Sequence, residues 1–290
     1  MMPAMELTGT GVWNASLRYG DPTAAGDAAA ELEELGYTAA WLPDVGGDVF
    51  GAVGNVLGAT KGFVVATGIL NVWMHTPEEA AAAFNELVDA HGPRFLMGIG
   101  ISHQSFIDLK GEGTYQKPLA TMRTYLDGLD AAPRPVPRDA RVIAALGPKM
   151  LELARDRTLG SHPYLANPQH TAVARGILGA GALLAPEQPV VLETDGAEAR
   201  RIARLHLATY LTLPNYVNNL LRLGLTEEDV ANGGSDKLVD AIVAWGDEAT
   251  IAKRVQEHRD AGADHVCVQV LTGVMELPRD QWRRLAPALT

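Results

Sequence analysis

The chain has 290 residues, 47% of them hydrophobic, and a formal net charge of −11 at pH 7. This length and apolar fraction suit one large domain with a single core. The acidic balance argues against a nucleic-acid surface, which needs clustered Lys and Arg, and no stretch reaches the roughly 18 apolar residues of a membrane span. Cys267 is the single cysteine, which suits a reducing compartment, and residues 1–5 lack the pattern of a signal peptide. We therefore expect a cytoplasmic protein that binds neither nucleic acid nor membranes.

Short apolar runs alternate along the chain with segments that carry helix-start signals. In chain order, strands are predicted at 10–14, 38–42, 62–68, 94–100, 141–146, 160–165, 188–193 and 265–270. Helix starts follow most of these runs, near residues 21, 48, 76, 118, 148, 169 and 247. The clearest runs are continuous rather than alternating, which is typical of parallel strands buried on both faces. The pattern predicts an α/β fold, a single (β/α)8 TIM barrel that occupies residues 1–290.

Two segments of the chain are longer than a barrel connection requires. About seventy residues separate the seventh and eighth predicted strands, and two or three extra helices are predicted over 197–244. This helical insertion should cover one side of the barrel mouth or form a subunit contact. After the fourth strand, a polar loop at 104–117 is long enough to act as a lid.

The active sites of such barrels lie in the loops after the strands, so residues at strand ends are the candidates. Gly147, Pro148 and Lys149 follow the fifth strand and combine close backbone approach, a helix N-terminus and a positive charge. They could bind a phosphate or form an ordinary capped junction. Gly98 and Gly100 end the fourth strand without the third glycine of a dinucleotide fingerprint. They could let a flat ligand lie close to the backbone or serve tight packing.

Polar and aromatic side chains stand at other strand ends. His103 follows the fourth strand and can give or take a proton near neutral pH, although a loop histidine is often solvated or structural. Asp44 follows the second strand and could bind a ligand N–H, position a histidine or cap a helix. Trp13 could stack on a ring system or pack in the core. His75 and His162 have no carboxylate nearby at metal-ligand spacing, so no metal site is predicted.

At these strand ends the chain resembles the bacterial luciferase-like monooxygenase superfamily, and more closely its deazaflavin (coenzyme F420)-dependent oxidoreductase branch. The resemblance covers nearly the whole chain and rests on 66–71 after the third strand, 98–100 with Ser102 and His103 after the fourth, and 144–148 after the fifth. The long segment between the seventh and eighth strands also matches. Each piece is short, but their order on successive strands makes the combination fairly specific.

The resemblance implies that an isoalloxazine-like ring binds at the C-terminal mouth of the barrel. It places a non-proline cis peptide at Gly68–Ile69 behind the ring, and the coenzyme phosphate at the turn after the fifth strand. His103 stands where some relatives carry a glutamate that protonates near the reactive ring carbon, which makes His103 the predicted general acid or base, with Asp44 as a second catalytic candidate. The predicted cofactor-binding residues are Trp13, Asp44, Gly68, Ile69, Asn71, Gly100, Ser102, Ala145, Gly147, Pro148, Lys149, His162 and Tyr164.

The function that the resemblance implies is transfer of a hydride between the deazaflavin and a small organic substrate. The protein would supply orientation, ring contacts and a proton, because the cofactor carries the hydride chemistry itself. The alternatives are an FMN-dependent monooxygenase with a partner reductase, a non-catalytic flavin-binding barrel, and a non-flavin barrel enzyme that acts on a phosphorylated metabolite. A homodimer is the assembly that the resemblance implies.

Overall fold

The computed structural model of the protein describes residues 7–103, 115 and 117–290. Eleven strands in this part of the chain form one sheet, and every pairing between neighbouring strands is parallel. The strands are β1 (Gly9–Trp13), β2 (Ala39–Leu42), β3 (Val64–Thr67), β4 (Leu70–Asn71), β5 (Phe95–Gly100), β6 (Arg141–Ile143), β7 (Gly160–Ser161), β8 (Leu183–Leu184), β9 (Glu187–Val191), β10 (Ala244–Trp245) and β11 (His265–Val270).

Helices follow most of the strands and cover the outside of the sheet. They are α1 (Ser16–Tyr19), α2 (Pro22–Glu34), α3 (Val49–Ala59), α4 (Pro77–His91), α5 (Pro118–Ala131), α6 (Pro148–Arg157), α7 (Pro168–Leu178), α8 (Gly196–Tyr210), α9 (Pro214–Arg222), α10 (Glu227–Val230), α11 (Asp236–Ile242), α12 (Glu248–Asp260) and α13 (Arg279–Leu289). Short 3-10 turns lie at Arg138–Ala140 and Ala231–Gly233. No helix in the described ranges is both long enough and apolar enough to span a membrane.

The strand order shows how the sheet curls. It runs β10-β9-β11-β1-β2-β3-β5-β6-β7-β8, with β4 paired to β5. Strand β8 lies at one end of this order and β9 is next to the other end, yet only Ala185 and Pro186 separate the two strands in the chain. Ala185 N–H donates to Ser161 O on the β7 side, and Cys267 N–H donates to Pro186 O on the β11 side. The predicted α/β fold with a barrel-like parallel sheet is therefore confirmed.

The local sequence signals explain where the elements begin. All six residues of β5 are buried, as expected for a continuous apolar strand between the barrel interior and the outer helices. At the start of α4, the Thr76 hydroxyl accepts from Glu79 N–H, and the Glu79 carboxylate accepts from Thr76 N–H. This is the capping box that the sequence predicts. Asp48 caps α3 with its side chain alone, which accepts a hydrogen bond from Gly51 N–H.

Some predicted strands have different bounds in the structure, and one C-terminal helix was not predicted. The predicted strand at 160–165 ends at Ser161, because Pro163 has no N–H to donate and Leu165 has a positive φ of 55°. The predicted seventh strand, 188–193, is β9, which begins one residue earlier and ends two residues earlier, and the short strand β8 before it was not predicted. Helix α13 was not predicted; it packs against the barrel through buried Trp282, whose carbonyl accepts from the Tyr37 hydroxyl at 3.0 Å.

The segment between β9 and β10 contains helices α8 to α11, one more than the upper number predicted for 197–244. It has its own apolar cluster, built from Leu207, Leu213, Leu220 and Leu238 together with side chains of the barrel. Strand β10 then returns the chain to the sheet beside β9. The predicted lid lies almost wholly outside the described residues, which include only Tyr115 and Lys117 of it. Residues 1–5 also lie outside the described residues.

Candidate functional site

The carboxyl ends of the strands open into a cavity of about 430 Å³, which we call the main cavity. Its walls come from the barrel rim and from helices α8 and α9. Pro148 and Lys149 do not line it, although both were predicted to bind the cofactor, because their side chains are exposed at the start of α6. The other predicted site residues all line it: Trp13, Asp44, Gly68, Ile69, Asn71, Gly100, Ser102, His103, Ala145, Gly147, His162 and Tyr164.

One wall of the main cavity is backbone and small or aliphatic side chains. The Gly68–Ile69 peptide bond is cis, as the resemblance implies. Trp13 fixes the position of this bond, since its indole N–H donates to Gly68 O at 2.9 Å. A Cβ on Gly100 would overlap with Cδ1 of Ile69 and lie 2.6 Å from its Cγ1, so only glycine leaves this wall undisturbed. The result is an apolar surface formed by backbone, glycine and Ile69.

His162 presents a hydrogen-bond acceptor to the same wall. Its Nδ1 lies 2.7 Å from Ala185 O, so Nδ1 carries the proton and the ring stacks on Trp41 with centroids 4.0 Å apart. Burial lowers the pKa of His162 to about 4, and the bond to Ala185 opposes this only in part. The ring is therefore neutral at pH 7. Its Nε2 is buried, has no hydrogen-bond partner among the described residues, and lies 3.3 Å from where a Cβ on Gly68 would be.

Asp44 joins the end of β2 to helix α1 and to the segment 71–75 at the rim. Its carboxylate accepts from Arg18 Nη1 at 3.0 Å, from Asn71 N–H at 3.1 Å and bonds His75 Nε2 at 2.9 Å. Burial alone would raise the pKa of Asp44, but the bonds from His75 and Asn71 and the Arg18 charge together lower it. Asp44 thus stays ionised and positions His75, one of the roles predicted for it. His75 itself does not line the main cavity.

His103 connects the barrel rim to helix α9. Its Nδ1 lies 3.0 Å from the Asn215 side-chain oxygen, an acceptor, so Nδ1 carries the proton and Nε2 is the basic nitrogen of the ring. The ring also lies against Tyr216, with centroids 5.3 Å apart. Burial lowers the pKa of His103, and the bond to Asn215 opposes this in part. At pH 7 the side chain is neutral and better suited to accept a proton than to donate one.

The opposite wall comes from residues that the sequence did not single out. Tyr164 joins this wall to the barrel, since its hydroxyl lies 2.9 Å from the Tyr210 hydroxyl and donates to Gln269 Oε1 at 2.8 Å. The only available signal was a polar and aromatic run at 215–219 inside an otherwise ordinary helical segment. The lining residues from α8 and α9 are Tyr210, Asn215, Tyr216, Asn218 and Arg222.

The end of the main cavity near α6 is suited to an anion. Gly147 lies at the N-terminus of this helix, and a Cβ there would meet nothing within 4 Å. Arg222 is the single Lys or Arg among the described lining residues. Arg222 lies near this turn. Burial is the main cause of the lowered pKa of His170, and the Arg222 charge lowers that pKa further. His170 Nε2 in turn bonds Leu146 O, next to Gly147, at 3.1 Å. A guanidinium and a helix N-terminus together favour a phosphate.

No cluster of three or more His, Cys, Asp or Glu side chains suited to a metal ion occurs among the residues that the structure describes. His75, His103 and His162 have separate partners, namely Asp44, Asn215 and Ala185. The described lining combines an apolar wall at Gly68, Ile69 and Gly100 with an end suited to an anion at Gly147 and Arg222.

The sequence profile of the luciferase-like monooxygenase family matches residues 5–265. The chain belongs to this family. A curated relative is 5,10-methylenetetrahydromethanopterin reductase of Methanolobus tindarius, which is 24% identical, with 81% of this chain and 86% of the relative covered.

Solved structures that resemble this family member include enzymes that use either of two coenzymes. The coenzyme F420-dependent tetrahydromethanopterin reductase of Methanopyrus kandleri has a TM-score of 0.77 at 17% identity, covering 98% of this chain and 99% of that chain. An F420-dependent secondary alcohol dehydrogenase in complex with an F420–acetone adduct has a TM-score of 0.75 at 14% identity, with the same coverage of 98% and 99%. The oxygenating constituent of 3,6-diketocamphane monooxygenase from Pseudomonas putida, in complex with FMN, has a TM-score of 0.68 at 13% identity, covering 98% and 99%. At these identities the likeness shows the shared fold.

Proposed function

We propose that the protein is an oxidoreductase that transfers a hydride between a deazaflavin coenzyme, F420, and a small organic substrate at the C-terminal mouth of the barrel. The observation that carries this proposal is the pairing, within one main cavity, of an apolar wall of backbone and small or aliphatic side chains with an end suited to an anion. The wall is formed by Gly68, Ile69 and Gly100, and the anion site by Gly147 and Arg222. The similarity to two F420-dependent enzymes supports the choice of coenzyme.

The residues present fit such a coenzyme. The cis peptide and Gly100 would lie behind the ring, and Trp13 holds that wall in place through its bond to Gly68 O. The buried Nε2 of His162 has no described partner, and an N–H or O–H group of the ring would satisfy it. The Arg222 guanidinium and the N–H groups at the start of α6 would hold the phosphate.

A bound deazaflavin would supply a carbon centre that accepts or gives a hydride. The chain's own contribution to the proton balance is His103. In the direction of alcohol oxidation, its Nε2 would accept the substrate hydroxyl proton as the hydride leaves the adjacent carbon, and the imidazolium would release that proton to solvent. Asn215 keeps Nε2 in the unprotonated form by accepting from Nδ1.

A second candidate is an FMN-dependent monooxygenase that works with a partner reductase. The similarity to the FMN complex of the diketocamphane enzyme favours this alternative. The main cavity would hold either coenzyme, because both combine a three-ring system with a phosphate. The relative affinity of the protein for F420 and FMN distinguishes the two candidates.

The reaction itself is tested by mixing the purified protein with oxidised F420 and a panel of secondary alcohols, and with reduced F420 and the matching ketones. We expect a change in the visible absorbance of the deazaflavin that depends on both enzyme and substrate. Turnover only with reduced FMN and oxygen would overturn the proposal. Assembly as a homodimer and a cytoplasmic location remain predictions, the first of which light scattering would test.

A further inference from the structure

A second cavity, of about 290 Å³, lies beside the main cavity between the ends of β1 and β11 and helix α8. We call it the side cavity. Trp13 lines both cavities and so stands at the boundary between them. The residues that matter for its chemistry are Asn14, Ile202, Leu205, His206, Gln269 and Met275.

The boundary between the cavities is a hydrogen-bonded group of side chains. Tyr164 and Tyr210 face the main cavity, whereas Gln269 and His206 face the side cavity. The Tyr164 hydroxyl donates to Gln269 Oε1, which leaves the Gln269 amide N–H groups as the part that can serve a ligand. The His206 ring lies 5.0 Å from that of Tyr210. A group bound in the side cavity is thus one layer of side chains from the proposed ring site.

His206, which lines the side cavity, has a buried nitrogen, Nε2, without a hydrogen-bond partner among the described residues. Leaving such an atom unpaired costs on the order of 1–3 kcal/mol, which a ligand hydrogen bond would recover. Burial lowers the pKa of His206 to about 4, so the ring is neutral at pH 7 and can pair with an uncharged donor or acceptor.

The charge and polarity of the side cavity narrow the class of ligand. None of its described lining residues is Lys or Arg, and Glu276 adds a carboxyl group. An anion would therefore find no counter-charge there, in contrast to the main cavity with Arg222. The rim is apolar and open: Leu205, Val274 and Met275 are 55%, 68% and 70% exposed. Exposed aliphatic side chains around a partly polar cavity favour an apolar molecule with a small number of neutral polar groups.

We propose that the side cavity binds the apolar body of an uncharged substrate, with His206 and Gln269 as hydrogen-bond partners of a neutral polar group on that body, separate from the reacting carbonyl or hydroxyl group. Trp13 marks the boundary past which the reacting end of the molecule meets the coenzyme ring. The assignment of this molecule as the hydride-transfer substrate rests on the proposed function. The binding of an uncharged ligand in the side cavity does not.

The test uses acetophenone as the probe and benzoate as its anionic match, with binding to the full chain measured by ligand-observed NMR. We expect acetophenone to bind and benzoate to bind at least about tenfold more weakly. His206→Leu should weaken acetophenone binding by about tenfold, which corresponds to the loss of one hydrogen bond. His206→Gln, which restores a neutral donor and acceptor, should recover most of it. Thr209→Leu is the control, since Thr209 is exposed on the same helix and lines neither cavity.

Equal binding of benzoate and acetophenone, or equal acetophenone binding by wild type and His206→Leu, would overturn the assignment. Failure of His206→Gln to recover binding would assign His206 a packing role and also overturn it. F420 affinity is measured separately on the same variants. If F420 does not bind but acetophenone shows the expected pattern, the proposed function fails while the side-cavity assignment stands.

Discussion

The main cavity has two halves that are built in different ways. The barrel half is formed by strand ends, with backbone and small side chains at Gly68, Ile69 and Gly100. The helical half comes from α8 and α9 and carries long polar side chains, among them Tyr216 and Arg222. The sheet fixes the first half through backbone pairing, whereas the second is positioned by packing of a separate apolar cluster. We therefore expect the barrel half to select the shape of the ligand. The helical half would supply the charge and the hydrogen bonds.

His103 is the point at which the halves meet, because it follows β5 and bonds Asn215 on α9. We expect His103→Ala to lower turnover by roughly 10²–10⁴-fold while F420 affinity is retained, since a general base is lost. In wild type, turnover in the oxidation direction should fall as the pH drops through the lowered pKa of His103. His91→Ala, which changes a histidine outside the cavity, is the control. Unchanged turnover in His103→Ala would remove His103 from the chemistry.

The charge of the helical half is tested at Arg222. We expect Arg222→Met to weaken F420 binding by roughly 10- to 100-fold, because a charge-assisted hydrogen bond contributes about 1.5–3 kcal/mol. A deazaflavin fragment that lacks the phosphate should bind both proteins equally. Lys149→Met is the matched control, since Lys149 is exposed and does not line the cavity. If Lys149→Met had the larger effect, the sequence-based prediction would be right and the assignment to Arg222 wrong.

The shape of the barrel half is tested at Gly100. In Gly100→Ala, the new methyl group would push Ile69 toward the ring site. We expect F420 affinity to fall about tenfold, as overpacking costs about 1–3 kcal/mol. The loss should be the same for the phosphate-free fragment, which is the reverse of the pattern at Arg222. Gly176→Ala, where a Cβ meets nothing within 4 Å, should leave affinity unchanged. A loss confined to the intact coenzyme would contradict the division of roles.

Beneath the barrel half, Glu187 is fully buried, and burial raises its pKa to about 8. One carboxyl oxygen accepts from Leu165 N–H at 2.9 Å, and the other has no partner among the described residues. A carboxyl whose pKa is higher in the folded than in the unfolded state stabilises the folded protein at low pH. This contribution to the free energy of unfolding is lost as the pH rises toward 8. The slope is at most roughly 1.4 kcal/mol per pH unit.

This effect is best measured between about pH 6.5 and 8. Below that window the buried histidines act in the opposite direction, because His162 and His206 have pKa values lowered to about 4 and lose stability as the pH falls. We expect the free energy of unfolding of wild type to decrease across the window and that of Glu187→Gln to stay level. Urea unfolding at several pH values measures this. Parallel slopes in the two proteins would mean that Glu187 is ionised in the folded state. F420 affinity should not change.

The barrel half was predictable from sequence because the carboxyl ends of parallel strands meet at one rim. Gly100 ends a strand, and His103 and Gly147 each follow one, which is enough to bring the three residues together. The helical half was not predictable, since the placement of Tyr210 and Arg222 depends on how α8 and α9 pack, and their spacing carries no such rule. Lys149 illustrates the limit: it follows the correct strand, but its helix points the side chain to solvent.

The proposed function requires that the protein bind F420 in preference to FMN. The most direct measurement is titration of the purified full chain with oxidised F420 and, separately, with FMN, followed by fluorescence. We predict saturable F420 binding at least about tenfold tighter than FMN binding, a difference of about 1.4 kcal/mol. Tighter binding of FMN, or no saturable binding of F420, would contradict the account.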